Sequence, residues 1–372
     1  MRRIAFSPRP HWRQQCEELG FTFHSIDGTY WDESAAYELS LAQVETLEAA
    51  SEELHRLYLE AVDWVIEQRH FAPFALPPGA EALIVASWQR GEPALYGRFD
   101  FSWNGSGAPK LLEYNADTPT GLLEASVVQW YWLRDVLPDA DQFNSLHEKL
   151  IERWRQIGQG GTVHFAAIEG HEEDTGNALY MLDVAYQAGL KTHYVPVEAI
   201  GYDPRTQSFV DQADQRIDRC FKLYPWEWLL QDEFGSHVEA SGIRFQEPAW
   251  KLLMSSKAML PILWQRNPGH PNLLPASFAA DLPEPYVSKP LYAREGQNIR
   301  IVGSGTPLES PGPHGADPCI YQAYAPLPRF ADSYTVLGCW MVGDQAAGLG
   351  IREDATPITR DSSRFVPHYF IE

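Results

Sequence analysis

The chain has 372 residues, room for one large domain or two to three closely packed ones, and its 44% apolar content can fill a substantial core. A net charge of -21 argues against nucleic acid as a partner, because affinity for phosphate backbones needs clustered Lys and Arg. Four scattered cysteines, Cys16, Cys220, Cys319 and Cys339, form no CxxC pair and read as reduced thiols rather than a disulfide framework or zinc site.

No membrane-length apolar segment occurs, and Arg2 and Arg3 precede no apolar run, so the expected setting is cytoplasmic with no membrane partner. Residues 41–69 carry Val44, Leu47, Leu54, Leu57, Val62, Val65 and Ile66 at helical spacing, which predicts an amphipathic helix in a bundle. Pro77-Pro78-Gly79 ends that region, and residues 82–87 read as a strand. Two alternating segments then flank the turn Asn104-Gly105-Ser106-Gly107-Ala108-Pro109, which predicts a hairpin. Thr118 before Pro119 reads as a helix start, leading into the apolar-periodic residues 122–137. Strand 163–168, loop 169–174, helix 175–188 ending at Gly189 and strand 192–197 make a βαβ unit with a parallel strand pair. Its loop lacks GxGxxG, and no P-loop occurs, so a Rossmann or Walker nucleotide site has no support. Residues 251–265 predict a helix bent at Pro261. Beyond Pro268 the pattern is strand-rich (285–290, 298–302, 320–324, 334–342 and 348–352), and residues 303–315 read as a mobile loop.

The hairpin carries the chemistry. Alternation sends Phe99, Phe101 and Trp103 to one face and Arg98, Asp100 and Ser102 to the other, while Glu113 and Asn115 share a face in the second strand. Closing the hairpin brings Asp100 near Glu113 and Arg98 near Asn115. Oxygen ligands at this density suit Mg²⁺, with phosphate oxygens filling further positions. A surface salt-bridge network is the competing reading of the same residues. Asn115, Asp117, Thr118 and Thr120 then reach the start of a helix, where an anionic substrate group is favoured. Twelve histidines form no HxxxH or HExxH pattern.

Arg98-x-Asp100, Glu113-Tyr-Asn115-Ala-Asp117, Lys257-Ala-x-Leu-Pro261 and Lys289-Pro-x-x-x-Arg294-x-Gly296 together resemble the glutathionylspermidine synthases, ATP-grasp ligases that join the glycine carboxylate of glutathione to an amine of spermidine. The resemblance runs from about Tyr30 to Arg352. It implies an α+β or α/β, ATP-grasp-like fold, with a helical region and metal-site hairpin (1–160), a βαβ substrate region (161–250) and a nucleotide-binding part (251–372). Many members carry an N-terminal amidase domain with a cysteine nucleophile. Here no such region is found, and a stand-alone synthetase is expected.

Residue by residue, the resemblance makes Asp100, Glu113 and Asn115 ligands of two Mg²⁺ ions. It gives Arg98 the reacting carboxylate, its phosphorylated form and the nucleotide. Lys257, Lys289, Arg294, Gly296, Gln322 and Arg352 fall to ATP, with Arg294 and Gly296 in a mobile loop over the site. Thr118 and Thr120 stand where the family has serines near glutathione, Glu172 and Glu173 match an acidic pair for the amine, and Arg294 also faces substrate. Each has a plainer reading. A helix-borne Lys257 is ordinarily solvated, a strand-borne Lys289 can guard a sheet edge, and an acidic loop pair is ordinarily wet. The Lys222–Trp228 segment, with Trp226, could line a substrate cleft or simply pack as aromatic core.

The function so implied is ATP- and Mg²⁺-dependent amide ligation between a peptide carboxylate and a polyamine or other amine. Two alternatives stand beside it: a non-catalytic nucleotide or peptide sensor, and a glycoside hydrolase using Asp100 and Glu113. In the last, Lys289, Arg294 and Arg352 would have no task.

Overall fold

A computed structural model of the chain describes residues 1–25, 28–158, 160–305 and 308–371. Its centre is an antiparallel sheet with strand order Arg364–Val366, Gln345–Asp354, Ser333–Val342, Tyr96–Ser102 and Lys110–Asn115, with Arg329–Phe330 pairing the start of Ser333–Val342. The hairpin has the register expected from alternation: Asp100 pairs with Glu113 and Arg98 with Asn115, and a bulge follows Asp100. Phe99, Phe101 and Trp103 are buried on the apolar face. Helix Leu41–Glu67 covers that face. Tyr58 meets the Phe99 and Tyr114 rings at 5.7 and 5.1 Å, and the His55 ring lies 3.1 Å from the Tyr114 hydroxyl. A Ser40–Gln43 capping box starts the helix. The helix therefore packs mainly on a sheet rather than in the expected bundle, because its buried stripe matches the aromatic face of the hairpin.

Four parallel strands, Arg244–Gln246, Arg219–Lys222, Thr162–Ala166 and Lys191–Tyr194, form a second sheet. Helix Glu172–Gln187 makes the predicted βαβ crossover. A third sheet is antiparallel: Ala276–Ser277, Cys319–Ala323, Tyr286–Pro290, Arg300–Val302 and Leu308–Glu309. Finally, Arg2–Ala5, Ala35–Ser40 and His368–Ile371 bring the two ends of the chain together. The architecture is mixed α/β with several sheets. Among the described residues no helix is long and apolar enough to cross a membrane.

Local expectations were overturned at several points. Residues 82–87 are not a strand; they belong to helix Ala80–Gln89, whose buried Ala80, Leu83, Ile84 and Ser87 recur at helical spacing. Pro119 does not open a helix. Gly121, at φ +83°, intervenes, and helical backbone begins at Leu122 and widens into a π turn at Glu124–Val128. The βαβ helix starts at Glu172, capped by the His171 side chain, so Glu172 and Glu173 lie in its first turn and not in a loop. The bend near residue 260 falls at Ser256–Ala258 instead of Pro261, since the Lys257 amide leaves the helix to bond Leu291 O at 3.0 Å. Of the stretch read as a mobile loop, Leu308–Glu309 forms a strand pairing Arg300–Val302, and residues 306 and 307 lie outside the described residues.

Candidate active site

The polar face of the hairpin is a network of opposed charges. Arg98 grips Asp100 with Nε to Oδ1 at 2.8 Å and Nη2 to Oδ2 at 3.1 Å, and its Nη1 donates to Thr120 O at 2.6 Å. Asn115 Nδ2 donates to Asp100 Oδ2 at 3.0 Å. Lys257 Nζ lies 3.0 Å from Glu113 Oε2 and donates to Ala293 O at 2.6 Å. Burial alone would disfavour the Glu113 charge, but Lys257 and Lys289 hold its carboxyl down at about 2. Lys289 Nζ donates to Leu112 O at 2.9 Å, and burial pushes its ammonium down to about 8 against the pull of Glu113. Gly338 makes this arrangement possible: a Cβ there would sit 2.9 Å from Arg98 Cδ.

Two adjoining cavities meet at Asp100, Glu113, Lys257 and Gly296. The first, of about 110 Å³, is a slit between the central hairpin and the third sheet. Val287, Ile299, Ile301, Leu327, Val336 and Ile358 give it apolar walls, and Lys257, Lys289 and Gln322 supply polar groups. Gln322 is buried and donates to Leu111 O at 3.1 Å. Gly296, at φ +69°, approaches so closely that a Cβ would lie 2.4 Å from Thr359 O, so the turn over both cavities requires glycine.

The second cavity, of about 250 Å³, opens beyond Arg98 and includes Thr118, Thr120, Glu173, Arg294 and Arg352 in its lining. Arg352 is anchored by the carbonyls of Arg360, Asp361 and Ser363 at 2.7, 2.6 and 3.1 Å. Arg294 pairs with buried Glu227 and stands over the Trp228 ring at 5.6 Å. Burial first, then neighbouring Glu124, pushes the Glu173 carboxyl up to about 8. Burial likewise raises Asp174 to about 6, with Glu295 and Asp361 adding to it and His171 and Arg294 opposing.

Two expected residues are placed elsewhere. Glu172 is exposed and outside the lining, because the first helical turn points Glu173 and Asp174 inward instead. Trp226 is core: it is buried, and its Nε1 donates to Glu247 O at 3.0 Å. Trp228, two residues on, lines the cavity in its place. Asp117 is also structural, since its carboxylate takes Lys222 Nζ at 2.7 Å and the Trp226 amide at 2.9 Å. Trp228 belongs to the segment read as a possible cleft lining, whereas Asp174, Glu295 and Asp361 were missed: they are acids brought in by separate turns, which only the folded chain assembles.

Asp100, Glu113 and the Asn115 amide offer oxygen donors only, on adjacent strands. Among the described residues no group of three or more His, Cys, Asp and Glu gathers as a metal cluster. A donor set of two carboxylates and an amide therefore fits a hard cation that takes its remaining ligands from water and phosphate oxygens, as Mg²⁺ does.

Residues 3–371 match the family model described as "Glutathionylspermidine synthase preATP-grasp". A Haemophilus influenzae protein named "Putative acid--amine ligase" is 42% identical over 393 aligned residues, spanning 100% of both chains. Trypanothione synthetase of Crithidia fasciculata is 30% identical over 84% of this chain and 53% of its own length. Glutathionylspermidine synthase of the same organism is 26% identical over 86% of this chain and 56% of its own. The chain thus spans the whole of one relative and little more than half of the other two. It belongs to the glutathionylspermidine synthase preATP-grasp family.

Proposed function

We propose that the chain is an ATP-dependent carbon–nitrogen ligase that joins a peptide carboxylate to an amine through an acyl phosphate, on an ATP-grasp arrangement of the central and third sheets. One observation carries this reading. The Arg98–Asp100–Glu113 hairpin stands between an apolar slit that ends in two lysines and a second cavity lined by acids. The slit suits a planar base with its phosphates at Lys257 and Lys289. Held by Asp100, Glu113 and Asn115, Mg²⁺ would offset the charge on the phosphates.

Arg98 uses three of its five N–H donors on Asp100 and Thr120, leaving two for the acid substrate. The acid's oxygen attacks the γ-phosphorus and ADP leaves, a step that needs alignment and charge neutralisation more than any protein nucleophile. An alkylammonium entering beside Glu173 and Asp174 gives one proton to Glu173, and the free amine then attacks the acyl carbon. The C–N bond forms, the C–O bond to phosphate breaks, and the second amine proton leaves with phosphate. Gly296, where the cavities meet, with Arg294 and Arg352 on the wall of the second, would exclude water from the acyl phosphate. Thr118 and Thr120 at the cavity wall favour a glutathione-like peptide, and the acids a spermidine-like polyamine, both acting in the cytoplasm.

The glycosidase alternative fares worse on the same geometry. Such an enzyme needs one carboxyl protonated, whereas Asp100 is gripped by Arg98 and Glu113 is held at about 2 by two lysines. A panel of acid–amine pairs with Mg²⁺ and ATP, read by ADP formation, tests the proposal. ADP should appear only when both an acid and an amine are present. ATP binding with no ADP from any pair would establish the sensor reading instead.

A further inference from the structure

Glu227 is buried and outside the lining of the second cavity, yet it holds Arg294, which is part of that lining. Its Oε1 accepts Arg294 Nη1 at 2.5 Å, and its Oε2 has no hydrogen-bond partner among the described residues. The Glu227 side chain is 6% exposed and that of Arg294 29%, so the acid end of the pair is dry and the basic end is open. A buried carboxylate with one oxygen unbonded is costly. It would be costlier still if Arg294 swung away and left its charge unpaired. The pair is therefore a fixed tether and not a catch that opens.

The geometry of the tether decides which donors stay free. Among the described residues both side-chain hydrogen bonds of Arg294 come from Nη1, to Glu227 and to Tyr292 O at 3.2 Å. That nitrogen carries two hydrogens, so its end is spent, while Nε and Nη2 keep theirs. Arg98 is gripped the other way, with Asp100 on its Nε–Nη2 edge. The edge left open on Arg294 can receive a carboxylate or phosphate in two parallel bonds. The Trp228 ring, 5.6 Å from the guanidinium carbon, supports its face.

Glu227 is itself held from the hairpin. It sits in the short helix Trp226–Leu229, whose Trp226 amide donates to Asp117 Oδ2 at 2.9 Å, two residues beyond Asn115. Gln231 Nε2 donates to Glu227 O at 2.7 Å. Arg294, by contrast, precedes Glu295 and Gly296, both in the left-handed region at φ +53° and +69°, outside any strand or helix. Its side chain is registered against the hairpin through Glu227.

We propose that Glu227 is a positioning residue: by taking the Nη1 end of Arg294 it fixes the Nε–Nη2 edge as a two-pronged donor for an oxyanion in the second cavity. That oxyanion is the carboxylate of the acid substrate or the acyl phosphate formed from it, so this role rests on the ligase reading above. The tether itself does not.

In the substrate-free protein, nitrogen-15 NMR of the arginine side chains reads the tether. Arg294 Nη1 and Nη2 should give separate signals, because the bond to Glu227 stops rotation of the guanidinium, and the two should merge in Glu227→Gln. Loss of the signals in Arg294→Lys assigns them. In turnover, Glu227→Gln should lower kcat/KM for the acid by about tenfold to a hundredfold, with little change in KM for the amine. The loss falls on KM if the oxyanion is that of the bound acid, and on kcat if it is the acyl phosphate; either split supports the proposal. Arg294→Lys should cost as much or more, and the double variant no more than Arg294→Lys alone. Glu227→Asp, which draws the carboxylate back by one methylene, serves in the same comparisons should the glutamine variant fail to fold.

Signals already merged in the wild type, or unmoved by the substitution, overturn the tether whether or not turnover is found. A lost tether with an unchanged kcat/KM for the acid overturns the role in oxyanion capture and leaves the ligase reading standing. A purely structural Glu227 would lower thermal stability and add its loss to that of Arg294→Lys, which overturns the proposal too. No ADP from any acid–amine pair in the wild type removes the ligase reading and the oxyanion role with it, and the tether is then judged by NMR alone.

Discussion

The ion pair between Glu113 and Lys257 gives the most direct measure of whether this hairpin is a charge-tuned site. At 3.0 Å and an effective dielectric of about 20, unit charges attract by roughly 5.5 kcal/mol, from 332/(20 × 3.0). Much of that offsets the cost of drying the groups, whose side chains are 27% and 8% exposed. Lys289 also remains near Glu113 when Lys257 is removed. A net coupling of about 2 kcal/mol is expected. Urea unfolding of Lys257→Met, Glu113→Gln and the double variant at pH 7 closes the cycle. The pH dependence follows from the depressed carboxyl: the contribution is complete above the ordinary glutamate value of 4.5 and fades as pH falls from there towards about 2. Coupling below about 0.5 kcal/mol at pH 7, the usual scatter of independent sites, would refute the assignment of a tuned Glu113.

Other expectations follow from the same geometry. Asp100→Asn should abolish Mg²⁺- and ATP-dependent phosphate release while retaining cooperative unfolding; unchanged turnover would remove Asp100 from the proposed metal set. Arg98→Ala should reduce kcat/KM for the acid by about a hundredfold or more with little change in ATP affinity, and equal losses would move Arg98 to the nucleotide. Gly338→Ala should reproduce a milder form of that defect, because the new methyl presses on the Arg98 side chain; an unaltered KM for the acid would contradict it. Lys289, at about 8, loses its charge as pH rises past that point. ATP affinity should therefore weaken between pH 8 and 9, by at most about tenfold per unit, and Lys289→Arg should flatten the profile in calorimetric titrations.

How much of this could be read in advance depended on the range of the forces involved. Alternation along residues 98–103 and 111–115 gave the hairpin register and the shared face of Arg98, Asp100, Glu113 and Asn115, since a period of two leaves one solution once an apolar face must be buried. The βαβ unit was legible for a similar reason, with Gly189 ending its helix. Residues 82–87 misled because a short apolar run suits a buried helix as well as a strand. Thr118-Pro119 imitated a helix start, while the actual boundary was set by Gly121 in the left-handed region. Trp226 and Trp228 differ by two positions and exchange roles, a choice made by Asp117 and Glu247 from distant parts of the chain. Glu124 sat in an apolar-periodic stretch with no motif around it; its buried bond with the Tyr30 hydroxyl joins parts of the chain far apart in sequence.

The central sheet also has a consequence for how the protein is made. The strand bearing Arg98 and Asp100 is closed on its open side by Met341, Trp340, Cys339, Gly338 and their neighbours, and Gly348 and Gly350 lie on the next strand out. During synthesis, Tyr96–Ser102 and its hairpin partner emerge early, while the strand that completes them leaves the ribosome only after the parallel sheet and most of the third sheet. Until then a two-stranded ribbon with one aromatic face offers a free row of backbone donors and acceptors. Helix Leu41–Glu67, already made, can shield the aromatic face but not that edge. Nascent chains stopped short of residue 333 should thus be sticky and inactive, because the strand bearing Arg98 and Asp100 still lacks its neighbour.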